Sequence, residues 1–128
     1  MFRFLLGDDR RDQRRPDTDK VKHPAVKQIS PLELQRWLTK NERLTLIDVR
    51  TPREYEVEHI QGARLLPLSV LRQRSGELPH DRPIVCVCRS GARSQAACEQ
   101  LARAGHTQLF NLSGGMIAWK RDGLPYSG

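Results

Sequence analysis

No apolar run in this chain approaches the roughly 20 residues that a membrane-spanning helix needs, so no membrane association is expected. Aromatic residues are scarce at 5% of 128 residues. Any core must therefore be assembled from Leu, Ile, Val and Ala. There are three cysteines and four histidines. No two cysteines form a C-x-x-C pair and the histidines are scattered, which argues against a disulfide framework and against a zinc site. The opening stretch holds Phe2, Phe4, Leu5 and Leu6 but is interrupted by Asp8 and Asp9. It is too short for a signal-peptide core, so a cytoplasmic protein is expected. Internal repeats and low-complexity tracts are also missing.

Basic charge is present in excess, at a net +7. Residues 1–28 hold eight Lys or Arg against five Asp, and the remainder holds fourteen against ten Asp or Glu. With no RNA-binding aromatic motif and no continuous basic helix face, the distribution matters more than the sum. It predicts a solvated basic surface and an electropositive mouth for small anions, with no nucleic-acid partner. Length and a 38% hydrophobic content suit one folded domain. Residues 1–26, polar and broken by Pro16 and Pro24, read as a flexible or loosely docked basic extension. The domain proper is expected over 27–126.

The most informative stretch is Cys88-Arg89-Ser90-Gly91-Ala92-Arg93. It follows the apolar run Ile84-Val85-Cys86-Val87 and precedes a helix-like run over 94–104. A cysteine at the end of a buried strand, followed by a tight turn and a helix start, is a device for making a thiolate. Loop and first-turn N–H groups have no intrahelical partners and converge on one spot. The helix dipole, Arg89 and Arg93 add positive charge there. Such surroundings lower a thiol pKa from about 8.5 into the range of roughly 3.5–7.5. Ser90, Gly91 and Ala92 keep the backbone open to a ligand.

Strands alternate with helices along the rest of the chain. Short strands are expected over 27–29, 44–49, 63–65, 84–87 and 108–112. Helices are expected over 31–40, 52–57, 69–74, 94–104 and 116–120. Ser30-Pro31-Leu32-Glu33 and Thr51-Pro52-Arg53-Glu54 both read as capping boxes. The first helix offers Leu32, Leu34, Trp37 and Leu38 to the core, and the fourth offers Ala97, Leu101 and Ala104. The alternation implies an α/β fold with a parallel sheet covered on both faces. Sites in such sheets lie beyond the carboxyl ends of the strands, where Asp48 to Arg50, Cys88, and Ser113 to Gly115 all fall.

Three segments together resemble the rhodanese family of sulfurtransferases. The six-residue C-x4-R loop has the length of that family's active-site loop, whereas the related loop of dual-specificity phosphatases is one residue longer. Leu46-Ile47-Asp48-Val49-Arg50, continuing through Glu54-Tyr55 to His59-Ile60-Gln61-Gly62-Ala63, is similar to the upstream signature. Leu112-Ser113-Gly114-Gly115-Met116-Ile117-Ala118-Trp119 is similar to the downstream one. Glu58 departs from the pattern, which often has Gly before the His. The resemblance covers about Gln28 to Pro125. It implies a three-layer α/β/α fold around a mainly parallel sheet of about five strands.

It also implies an activity: transfer of sulfane sulfur from thiosulfate or another persulfide donor, through a Cys88 persulfide, to cyanide or a thiol. The N–H groups of Arg89, Ser90, Gly91, Ala92, Arg93 and Ser94 would cradle the outer sulfur. Arg89 would attract a small anionic donor, and Arg93 would brace the loop. A protein thiol is a possible acceptor, and no cofactor or metal is needed. Asp48 is either a partner for an arginine near the loop or a turn residue, and Arg50 either adds charge to the mouth or forms a structural ion pair. His59 falls on a structural turn. Gly114 and Gly115 would allow positive φ and close backbone approach, and Trp119 would join the core. Cys86 and Cys98 read as small buried hydrophobes. Other readings of the same thiolate are a dedicated protein persulfide carrier, a phosphatase or arsenate reductase, and a non-catalytic binding module of the same fold.

Overall fold

The computed structural model describes residues 23–128; the expected extension over 1–26 lies almost wholly outside them. Among the described residues there are five strands: β1 (Val26–Ile29), β2 (Thr45–Asp48), β3 (Arg64–Leu65), β4 (Ile84–Val87) and β5 (Leu109–Leu112). They form one sheet in the order β1-β5-β4-β2-β3, and every pairing is parallel. The central strand β4 carries Ile84 opposite Leu109 and Thr45, so its end is flanked by the ends of β2 and β5. Among the described residues four helices connect successive strands, α1 (Pro31–Thr39), α2 (Pro52–Val57), α3 (Leu68–Arg74) and α4 (Ala92–Arg103), and α5 (Gly115–Arg121) follows the last. A 3-10 turn, Ser75–Glu77, follows α3. Among the described residues no helix is long and apolar enough to cross a membrane.

Side-chain alternation along the strands divides the core into two layers. On one face Ile84, Cys86 and Cys88 pack with Ile47, Val49 and Leu109 against Leu71 of α3 and Ala97, Cys98 and Leu101 of α4. On the other, Val85 and Val87 pack with Leu46 and Leu112 against Leu34 of α1 and Met116 and Trp119 of α5. All four residues of β4 are buried, which its uninterrupted apolar sequence predicts for a strand covered on both sides. Trp119 is fully buried, and its indole N–H donates to the Pro125 carbonyl at 2.8 Å. Cys86 and Cys98 are buried thiols.

Several local expectations need correction. The first capping box is only half made: Ser30 Oγ accepts the Glu33 N–H at 3.1 Å. The Glu33 carboxylate turns away from the cap and takes bonds from Arg36 and from the Trp37 indole N–H. The second box is complete at Thr51 and Glu54. Leu32 is 52% exposed, so α1 contributes Leu34 fully and Trp37 and Leu38 in part. Ala104 is exposed because α4 has ended at its C-cap there. That helix also begins at Ala92, two residues before the expected start, which puts Arg93 and Ser94 inside its first turn. Glu58 needs no glycine: its φ of −165° is extended backbone that any residue adopts.

Candidate active site

The loop after β4 closes on the Cys88 sulfur. The Gly91 N–H donates to Cys88 Sγ at 3.1 Å. Ser94 Oγ lies 3.3 Å from the same sulfur. This return is possible because Gly91 takes φ +101°, a conformation that costs glycine little and an L side chain much. Gly91 also packs close to the next loop, where an added Cβ would lie 3.2 Å from the Gly114 nitrogen.

The carbonyl side of the loop is held from behind by α5. The Met116 N–H donates to the Cys88 carbonyl at 2.8 Å, and the Ile117 N–H to the Arg89 carbonyl at 3.0 Å. First-turn helix donors have no partner within their own helix; here they take the carbonyls of the cysteine loop. With those carbonyls turned outward, the loop's N–H groups face the sulfur. The approach is so tight that a Cβ on Gly115 would lie 2.4 Å from the Cys88 oxygen. Gly115 itself has φ +56° and Gly114 φ +76°, so both glycines of the downstream segment carry the roles expected of them.

The balance of forces on Cys88 favours the thiolate. Burial pushes the thiol up, since the residue is fully covered. The Ser94 hydroxyl opposes this, followed by the N–H groups of Ser94, Gly91 and Ser90, and together they bring the pKa below the ordinary thiol value of 9.0. Cys86, two residues earlier on the same strand face, is shifted the other way: its contact with Cys98 and its complete burial push it up. Two neighbouring thiols on one sheet face are thus pushed in opposite directions, Cys88 down by its donors and Cys86 up by Cys98 and burial.

The charged residues sort into three arrangements. Asp48 and Arg50 form a buried pair, with Arg50 Nε 2.9 Å from Asp48 Oδ1 and an Arg50 terminal nitrogen 2.8 Å from Oδ2. That guanidinium also donates to the Glu58 carbonyl at 2.6 Å, and the Arg50 N–H donates to Asp48 Oδ1 at 3.1 Å. Both side chains are at most 4% exposed, so Asp48 has found its arginine partner within its own turn. Arg93 makes a two-pronged pair with Glu54 of α2, at 2.8 and 2.9 Å. That contact holds the Glu54 carboxyl down at about 2. Arg89 is exposed and makes no ion pair among the described residues. It lines a pocket of about 220 Å³ beside the loop, with Arg50, Glu54, Met116, Ile117 and Lys120.

His59 stands apart from the sulfur. Its ring stacks on Tyr55 at 3.9 Å, its Nδ1 lies 2.8 Å from the Tyr55 carbonyl, and its backbone bridges to Ser127. Two contributors were not singled out in the sequence. Glu54, which the sequence marks as a cap and as part of the upstream signature, also anchors Arg93. Asn111 of β5 is buried and touches Ser94, and only its place at a strand end beside the cysteine strand could have drawn attention to it. Among the described residues no group of three or more His, Cys, Asp or Glu is arranged to hold a metal.

The sequence profile of the rhodanese-like domain matches residues 30–122. The chain is similar to a protein named sulfurtransferase from Allochromatium vinosum, 43% identical over 100 residues that span 78% of this chain and 94% of that one. It is also similar to the thiosulfate sulfurtransferase GlpE of Coxiella burnetii, 35% identical over 73% of this chain and 87% of that one. A crystal structure of a rhodanese-related protein from Thermoplasma volcanium superimposes with a TM-score of 0.72 at 29% identity, covering 79% of this chain and 97% of that one.

Proposed function

Since the chain belongs to the rhodanese-like domain family, we propose that it is a sulfurtransferase that carries sulfane sulfur as a persulfide on Cys88. The observation that carries this reading is the cradle: a buried cysteine at the start of a six-residue loop, its sulfur met by the Gly91 N–H at 3.1 Å and by Ser94 Oγ of α4 at 3.3 Å. The thiolate, which these donors favour, is the nucleophilic form of cysteine. The names of the two relatives support sulfur as the cargo, and GlpE supports thiosulfate as a donor.

The reaction takes two displacements. The Cys88 thiolate attacks the outer sulfur of thiosulfate, and a new S–S bond forms to that atom. The bond between the two thiosulfate sulfurs breaks, and its electron pair leaves with sulfite. The outer persulfide sulfur, formally anionic, sits where the N–H groups of the loop and the first turn of α4 converge, as an oxyanion sits in its hole. An acceptor nucleophile then attacks that outer sulfur, and the Cys88 thiolate departs with the pair of the broken S–S bond. Cyanide serves in an assay; a small thiol or a protein cysteine serves the same chemistry. Arg89, exposed in the adjoining pocket, attracts the dianionic donor. Arg93 is committed to Glu54 and braces the loop.

Intact mass after incubation with thiosulfate tests the reading. One added sulfur atom is expected in the wild type and none in Cys88→Ser, with loss of the adduct and formation of thiocyanate on adding cyanide. An adduct that survives Cys88→Ser and disappears in Cys86→Ser or Cys98→Ser would place the chemistry elsewhere. Uptake of sulfur that cyanide cannot remove but a protein thiol can would make the protein a dedicated persulfide carrier. Hydrolysis of an aryl phosphate in place of sulfur uptake would make it a phosphatase.

A further inference from the structure

Ser94 has one hydroxyl proton and two acceptors within reach. Asn111 Oδ1 is 2.5 Å from Ser94 Oγ, and Cys88 Sγ is 3.3 Å away. The Asn111 amide is not free to turn its nitrogen toward Ser94. Its Nδ2 donates to Gln28 Oε1 at 2.9 Å and to the Gly91 carbonyl at 3.2 Å, which uses both of its N–H bonds. A flipped amide would set its oxygen against that carbonyl, which can only accept.

The same polarity runs outward through the neighbouring amides. Gln28 Nε2 donates to Gln95 Oε1 at 2.8 Å, and Gln95 Nε2 donates to Glu99 Oε2 at 3.0 Å. Glu99 accepts at the far end of the row, as the Gly91 carbonyl accepts at the near end. One Asn111 N–H, Gln28 and Gln95 donate outward along the row and the other Asn111 N–H holds the Gly91 carbonyl, which leaves the carbonyl end of Asn111 facing the Ser94 hydroxyl.

We infer that Asn111 is a positioning residue that competes with Cys88 for the Ser94 proton, so that the hydroxyl is a two-position switch timed by the state of the cysteine. While Cys88 is a neutral thiol, its S–H donates to Ser94 Oγ and the hydroxyl proton rests on Asn111. The persulfide form leaves Sγ uncharged, and the proton again rests on Asn111. When Sγ becomes a thiolate, by ionisation or as the leaving group in the second displacement, the hydroxyl swings to it and the Asn111 bond is given up. No proton is transferred; one hydrogen bond is exchanged for another. Asn111 thereby holds the thiol less acidic than the loop alone would make it. The role in turnover rests on the sulfur-transfer reading, while the competition for the proton can be measured on the resting protein.

Other charges around Cys88 are accounted for. The Asp48–Arg50 pair at the end of β2 and the Arg93–Glu54 pair between α4 and α2 are each internally neutralised. Arg89 is the unpaired cation of the loop. Cys86 on β4 and Cys98 on α4 are buried thiols on the same face. None of these groups makes a side-chain bond to Asn111, which holds Ser94, Gln28 and the Gly91 carbonyl; because the Gly91 N–H also donates to Cys88, the Ser94→Ala background is what separates the Ser94 route from a shift of Gly91.

The test is a titration of Cys88 in the full chain, followed by thiolate absorbance and by the pH dependence of alkylation, with Cys86→Ala and Cys98→Ala in all samples. Asn111→Leu and Asn111→Ala remove the competing acceptor, and measuring both guards against a packing failure of either. The Cys88 pKa is expected to fall by about one unit, the worth of one hydrogen bond to a charged group. Ser94→Ala is expected to raise it, and in the Ser94→Ala background the Asn111 substitutions should lose their effect. An unchanged or raised pKa in both Asn111 variants overturns the inference, as does a fall that persists without the Ser94 hydroxyl. Thiosulfate loading of the wild type by mass is recorded alongside; its failure sinks the sulfur-transfer reading and leaves the titration result standing.

Discussion

Two turns lie side by side at the carboxyl edge of the sheet, one after β2 and one after β4. Each follows a buried strand, and each holds an acidic or ionisable group followed closely by arginine. At Asp48-Val49-Arg50 the charges satisfy each other within three residues, and the pair is buried. At Cys88-Arg89 the sulfur is met by N–H and O–H dipoles and the neighbouring arginine stays unpaired at the surface. In the first, closed arrangement the charges are already paired, although Arg50 lines the pocket beside Arg89. The second leaves one full positive charge and a set of aimed dipoles uncommitted. Residue types alone do not separate them; the accounting of partners does.

The largest effect comes from breaking the closed turn. Asp48→Ala leaves the Arg50 guanidinium buried with only the Glu58 carbonyl to accept from it. Removing one partner of a buried pair costs roughly 3–5 kcal/mol, and urea unfolding should show a loss of that size. Replacing both partners, as Asp48→Ala with Arg50→Met, should recover part of it, since no orphaned charge remains. A double variant as unstable as the single one would mean that the pair does more than neutralise itself.

The open turn should respond in chemistry before it responds in stability. Gly115→Ala places a methyl group against the Cys88 carbonyl and the Arg89 backbone, so the loop must move away from α5. A displacement of about 1 Å at a reacting centre can cost on the order of 100-fold. A loss of that order is expected in kcat for thiosulfate:cyanide transfer, with a smaller change in Tm. Equal losses at Gly114→Ala, whose Cβ would meet only Ala118, would show that the sensitivity belongs to α5 and not to its grip on the loop.

A smaller effect is expected from the uncommitted cation. Arg89 touches no carboxylate among the described residues, so its removal should leave the fold alone and weaken donor capture. Arg89→Ala is expected to raise KM for thiosulfate about 10-fold, the worth of one charge-assisted contact, with kcat little changed. A kcat/KM for thiosulfate equal to that of the wild type would remove Arg89 from donor binding.

The sequence made the alternation of elements and the cysteine loop legible because both depend on short-range signals. The apolar run of β4, the glycines at positive φ and the Thr51–Glu54 cap each act within a few residues. What it concealed depends on neighbours distant in sequence. Glu33 looks like a capping partner until Arg36 and Trp37 compete for it. Asp48 and Arg50 read equally well as site or scaffold until their burial is known. Asn111 is an unremarkable strand residue until the parallel pairing of β5 with β4 brings it beside Ser94. The sequence pattern starts α4 two residues late, because Gly91 serves at once as loop residue and helix cap.

The smallest effect joins the two turns and depends on pH. Glu54 follows the closed turn in sequence and grips Arg93 of the open one. The pairing, against an opposing push from partial burial, lowers its carboxyl from an ordinary 4.5 to about 2. A carboxylate with a depressed folded pKa stabilises the fold fully above its unfolded value. That contribution is lost as pH falls from about 4.5 toward 2. Glu33, Glu77 and Asp81 are shifted in the same direction, so the wild-type curve alone cannot isolate it. The difference between wild type and Glu54→Gln can. At neutral pH the variant should be less stable by about 1 kcal/mol or less, the usual range for a partly exposed pair. The two melting curves should converge as the pH approaches 2, because protonated Glu54 and glutamine are then equivalent toward Arg93. A stability difference that stays constant from pH 7 to 2 would assign the effect to the Thr51 cap, and would leave the two turns independent.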